Sequence, residues 1–147
     1  MTLVYVDTSA LARAYLEDEP EHAELSWRLL HGEEPVVTSA LTRVELASTA
    51  WAAARAGRVR QPELILERFD ADCADDGPLT LLRLDSDTCL PLAYRLVGEH
   101  RLRTLDALHV AVALTTATDL AAGEPVSFLT RDKDQAAAAQ AAGLSRA

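Results

Sequence analysis

The 147-residue sequence is short of aromatics, with two Trp, three Tyr and two Phe, and it carries only two cysteines. Each shortage excludes something. Cys73 and Cys89 have neither CxxC spacing nor a neighbouring His pair, so no zinc site or disulfide framework is indicated and both read as buried thiols. No apolar run approaches the roughly 20 residues that span a bilayer. The first strand, Leu3-Val4-Tyr5-Val6, arrives without a basic leader before it, which predicts a cytoplasmic protein with no membrane segment. There is no P-loop or dinucleotide-binding glycine pattern, and the scarcity of rings leaves no aromatic platform on which unpaired bases would stack. Internal repeats, low-complexity tracts and linkers are also missing, so residues 1–147 read as one domain, large enough to bury roughly 70% of its unfolded surface.

Basic residues are outnumbered, 14 against 23 acidic, for a formal net charge of −9. That excludes a sequence-blind nucleic-acid coat, which rests on many phosphate contacts by basic side chains. It does not exclude a nuclease, because a carboxylate pocket filled by a cation reverses its local sign. Arginine supplies every basic residue but Lys133, and guanidinium forks suit bidentate phosphate contacts. An acidic surface also suits a basic protein partner.

What the sequence does have is a regular alternation of short apolar runs and helical stretches. Strands are expected at 3–6, 35–38, 79–84 and 126–129, with Gly143-Leu144 opening a last short one. Helices are expected at 9–16, from Pro20 to about His31-Gly32, at 39–56 before Gly57, from Pro62, from Asp85 or Ser86 to about 99, at 104–118 and at 134–142. In the helix at 39–56, Leu41, Val44, Ser48 and Trp51 share one stripe, with Glu45 flanking it. Strands separated by helices predict a parallel α/β sheet flanked by helices.

Four acids, Asp7, Glu45, Asp106 and Asp132, lie at the edges of apolar segments, where an unpaired carboxylate is costly. Asp7 and Asp132 follow strands directly, and ligands of parallel α/β sheets gather at the carboxyl ends of strands. Each acid also has a structural alternative. Asp7 can cap a helix, Asp132 can serve a turn, and Asp106 suits the first turn of its helix. Glu45, mid-helix, needs a partner such as Arg43 or Arg131, or a metal. Gathered in one place, the four would repel one another until Mg²⁺ or Mn²⁺ entered. Such a site hydrolyses phosphodiesters. Thr8 and Ser9 read as groups that orient Asp7 or touch a metal-bound water. Asp134 caps the last helix or joins the site. Arg13, Arg43 and Arg131 are candidates for the substrate groove, or partners of carboxylates, and His109 reads as a packed or supporting group.

The segments VYVDTSAL, VVTSALTRVEL, LDALHVAVAL and FLTRDKD follow one another in the order and spacing of the PIN-domain family, and the chain resembles its VapC-type toxin branch over almost its whole length. The resemblance implies a doubly wound parallel sheet and a Mg²⁺- or Mn²⁺-dependent ribonuclease with its carboxylates at Asp7, Glu45, Asp106 and Asp132. Thr130 and Arg131, in the closing motif, fall beside that set. It also implies an RNA substrate, a homodimer and a VapB-type antitoxin. Gln135 departs from the family pattern, standing where a hydrophobic residue is common. The competing reading is a catalytically inactive module whose acidic pocket docks a basic peptide. A haloacid-dehalogenase-type phosphatase is disfavoured because Ser9 stands where its second Asp is needed. A receiver domain is disfavoured because Asp7 lacks the expected acidic neighbour.

Overall fold

A computed structural model describes residues 1–147. Strand β1 (Leu3–Val6) is buried along its whole length, as befits an apolar run covered on both faces. Its period of two divides the interior: Leu3 and Tyr5 join one core cluster, Val4 and Val6 the other. Parallel pairing places β2 (Val36–Ser39) on one side of β1 and β4 (Val126–Leu129) on the other, with β3 (Leu79–Leu82) and β5 (Ser145–Arg146) at the edges.

Eight helices fill the connections. On the Val4 and Val6 face lie α1 (Thr8–Tyr15), α2 (His22–Leu30), α3 (Ala40–Arg55) and α4 (Pro62–Asp72), contributing Leu11, Leu25, Leu29, Leu46 and Phe69. On the Tyr5 face lie α5 (Ser86–Glu99), α6 (Thr104–Val112), a short α7 (Thr118–Ala121) and α8 (Lys133–Ala141), with Cys89, Val110, Ala111 and Ala139 in the core. The result is a doubly wound sheet. Because the chain runs outward from β1 to β3 and then crosses to β4, the strand order reverses between β1 and β4, and the crevice at their carboxyl ends is the place where such sheets bind ligands.

Most element boundaries agree with expectation to within two residues, and the exceptions have physical causes. The helix expected at 104–118 is interrupted by a π-helical turn, Ala113–Ala117, and continues as α7 to Ala121. Thr115 Oγ1 donates to the Ala111 carbonyl at 2.7 Å and Thr118 Oγ1 to the Ala113 carbonyl at 2.8 Å. The helix ends where Ala122 (φ 50°) and Gly123 (φ 95°) turn left-handed. In α3 the buried residues are Thr42, Leu46, Ala50 and Ala53, while Val44 and Trp51 are exposed. Of the stripe read from sequence, Leu41 packs against the Tyr5-side core while Val44, Ser48 and Trp51 are exposed. Cys89 is buried and Cys73 only partly so.

Candidate active site

The switch point is built from the two residues that end β1 and β4. Asp7 leaves β1 with its amide bonded to the Leu129 carbonyl at 3.1 Å, and its carboxylate caps α1 by accepting from the Ala10 amide at 3.1 Å. Ser9 Oγ lies 2.9 Å from both carboxylate oxygens, and Thr130 Oγ1 lies 2.9 Å from Oδ2. Asp7 is 3% exposed. Burial raises its pKa above the ordinary value, outweighing these hydrogen bonds and the opposing influence of His109.

Asp7 is thus both a helix cap and a wall of a cleft of about 770 Å³ that is also lined by Glu45, Asp106, His109 and Asp132. A second hollow of about 660 Å³ shares Glu45, Asp106 and Asp132 and adds Asp134. Asp106, in the first turn of α6, has its pKa raised by burial and then by the charges of Asp132 and Asp7. The helix cap at the start of α8 is Asp132, which accepts from the Gln135 amide at 2.9 Å, and not Asp134, which sits inside the first turn. The other wall comes from the exposed side of α3: Leu41, Val44 and Ser48, the stripe recognised in the sequence, border the cleft with Glu45 among them.

Glu45 finds its partner in His109, which the sequence marked as a supporting group without indicating what it supports. Its Oε1 lies 2.6 Å from His109 Nε2 and accepts from Thr8 Oγ1 at 2.9 Å. Burial pushes the Glu45 pKa up, but the hydrogen bond and charge of His109, with help from Thr8, bring it below the usual carboxylate value. Thr8 therefore orients Glu45 rather than Asp7. The signal for His109 was its spacing, three residues after Asp106. Its other partner, Tyr5, is 104 positions away in sequence.

The three expected arginines are all ion-paired, and of them Arg13 lines the cleft. Arg43 forms a two-pronged pair with Asp70, at 2.8 and 2.9 Å, beside α4 and outside the cleft. Arg43 is therefore not the partner of Glu45, and it does not line the cleft. Both Arg13 and Arg131 are held by Glu21, at 2.8 and 2.6 Å. Gln135, the departure from the family pattern, is fully buried. Its Oε1 lies 2.8 Å from Thr130 Oγ1 and its Nε2 donates to the Asp106 carbonyl at 3.2 Å. The Thr130 hydroxyl has one hydrogen for two acceptors, Asp7 and Gln135.

No three Asp, Glu, His or Cys side chains converge tightly enough to enclose an ion directly. The donor set nonetheless fits a hydrated divalent cation. Four carboxylates, Asp7, Glu45, Asp106 and Asp132, line one cleft, two of them are held above their ordinary pKa, and Mg²⁺ commonly keeps several waters between itself and the protein.

Five parallel strands with acids gathered at the switch point define a doubly wound α/β protein with a carboxylate cleft. A family model described as PIN domain matches residues 4–141, and the chain belongs to that family. Among curated relatives, Ribonuclease VapC47 of Mycobacterium tuberculosis is 36% identical over 123 residues, 82% of this chain and 81% of that protein. The crystal structure of Mycobacterium tuberculosis VapC20, described as a sarcin-ricin loop cleaving toxin, superposes with a TM-score of 0.64 at 20% identity, covering 98% of both chains. PAE2754 from Pyrobaculum aerophilum gives a TM-score of 0.65 at 21% identity over 93% of this chain and 84% of its own. At such identities the two structures speak for the fold.

Proposed function

We propose that residues 1–147 form one nuclease domain, a VapC-type endoribonuclease toxin that depends on Mg²⁺ or Mn²⁺, acts in the cytoplasm and is neutralised by a VapB-type antitoxin. The observation that carries this reading is the opening of Asp7, Glu45, Asp106 and Asp132 into one cleft at the sheet's switch point. The relationship to Ribonuclease VapC47 supports RNA as the substrate. No helix is long and apolar enough to cross a membrane.

In this reading Asp7, Asp106 and Asp132 hold the cation, directly or through water. Once bound, the cation supplies charge neutralisation at the phosphate and lowers the pKa of the attacking water. Glu45 accepts a hydrogen bond from that water and aligns it, itself held by His109 and Thr8. Ser9 and Thr130 keep Asp7 turned toward the cleft. Water attacks phosphorus in line, the bond to the 3′ oxygen breaks, and the products carry a 3′-hydroxyl and a 5′-phosphate. Unpaired or loop RNA suits the open cleft, since specific RNA recognition mostly targets splayed bases. The toxin acts as a homodimer, and its antitoxin presents an Arg or Lys to the same carboxylates.

Incubating RNA with purified protein and Mn²⁺, followed by end-group analysis, tests the proposal. Fragments with 3′-hydroxyl ends that vanish on adding chelator are expected. Cyclic phosphate ends would mean attack by the ribose 2′-hydroxyl and would overturn the mechanism.

A further inference from the structure

The acidic cleft raises a question of charge. A bound cation answers for the phosphate being cut, but an RNA strand brings its neighbouring phosphates past Asp134 and Glu45 on a protein of net charge −9. Contacts to those phosphates need cations that are free to make them. Arg43 is paired outside the cleft, and Arg13, which lines it, shares the single carboxylate of Glu21 with Arg131.

At the other end of the site the situation differs. Arg101 and Arg103 lie in the link between α5 and α6, and both line the hollow that carries Asp106, Asp132 and Asp134. Both are exposed. Neither takes part in any of the protein's ion pairs or side-chain hydrogen bonds, although four carboxylates border the same hollow. Arg103 immediately precedes α6, whose first turn has no side-chain cap, so unclaimed amide donors add to the positive rim. The two guanidinium groups stand one residue apart on either side of Leu102, three and five positions before Asp106.

From this placement we propose that Arg101 and Arg103 are the phosphate-binding residues of the cleft, holding the stretch of single-stranded RNA that flanks the scissile bond on the α6 side. The inference rests on the ribonuclease reading and extends it by naming the residues that bind substrate without touching the reacting atoms. Sequence alone did not select them because their neighbours in the chain are unremarkable; only the fold brings them beside Asp132 and Asp134.

The test is equilibrium binding of a fluorescent oligouridylate, in the presence of Mn²⁺, over a range of KCl concentrations. Each phosphate contact to a single strand contributes about 0.7 to the slope of log K against log salt. Arg101→Ala/Arg103→Ala is expected to flatten the slope by about 1.4, and Arg101→Lys/Arg103→Lys to restore it, since a phosphate contact of this kind needs a point charge. The charge-matched control, Arg55→Ala/Arg60→Ala, removes two exposed arginines that border neither hollow and is expected to leave the slope unchanged. A slope equally flattened by the control, or untouched by the Arg101/Arg103 change, overturns the proposal while leaving the nuclease in place. Failure of the unmodified protein to bind the oligonucleotide at any salt concentration would count against the ribonuclease reading itself, and this inference would fall with it.

Discussion

The Tyr5 hydroxyl lies 2.7 Å from His109 Nδ1, both groups fully enclosed by the core. With Nδ1 held by Tyr5, the ring presents Nε2 to Glu45 at 2.6 Å. The orientation of Glu45, on the third helix, is in this way tied to a residue in the central strand.

Breaking that tie has a graded cost. Tyr5→Phe leaves the buried His109 Nδ1 without its hydrogen bond and is expected to lower stability by about 1–3 kcal/mol. His109→Ala takes from the buried Tyr5 hydroxyl its His109 partner and leaves Glu45 with Thr8 alone, adding a desolvation penalty of about 1–3 kcal/mol. Urea denaturation measures both. RNA cleavage should fall in both variants, more steeply in His109→Ala. Unchanged cleavage by His109→Ala would show that Glu45 needs no such support.

The acids carry an opposite sign. Asp7 and Asp106 have pKa values raised by burial, so between the unfolded carboxylate value and the raised one the native state binds more protons. Stability of the metal-free protein therefore falls as pH rises through that window and stays reduced above it. Asp106→Asn removes its share and should raise the metal-free Tm at neutral pH by a few degrees at most, because the group is partly open to screening solvent. A lower Tm would contradict the electrostatic account. Acidification through the same window should weaken Mn²⁺ binding as protons compete for the carboxylates.

Gln135 offers a sharper test of the same field. Its amide is enclosed between Thr130 and the Asp106 carbonyl. Gln135→Glu would bury a further carboxylate beside Asp7 and Asp106, at a cost on the order of 3 kcal/mol. Thermal melting at neutral pH should show a large drop that partly recovers on acidification. A variant as stable as the parent would mean that the pocket is more hydrated than its packing implies.

Arg43 should be silent. Its pair with Asp70 is exposed on both sides, and exposed pairs contribute little. Arg43→Ala is expected to keep both the fold and RNA cleavage. A strong loss of cleavage would restore the substrate role suggested by its sequence position.

These cases mark how far the sequence could be read. The apolar run before Asp7, and the one before Thr130, gave away two central strands and the acids that follow them, because strand and turn chemistry are local. The core face of α3 was not legible: alanines on every side leave the helix with little amphipathic contrast, so the visible stripe Leu41, Val44, Ser48 marked the cleft, and of it only Leu41 also packs against the core. His109 and Gln135 were visible as isolated polar residues, but their roles depend on partners brought from β1, α3 and α6 by the fold. The arginines were ambiguous for the same reason, since only tertiary structure decides which carboxylate claims each guanidinium.

The central claim is that the carboxylates at the switch point bind a divalent cation as a set. Calorimetric titration of Mn²⁺ into the purified protein, beside Asp106→Asn, tests it without knowledge of the RNA target. The account predicts binding by the unmodified protein and its loss in the variant. No binding at millimolar Mn²⁺, or equal binding by both proteins, would contradict it and favour a cleft built to dock a basic peptide.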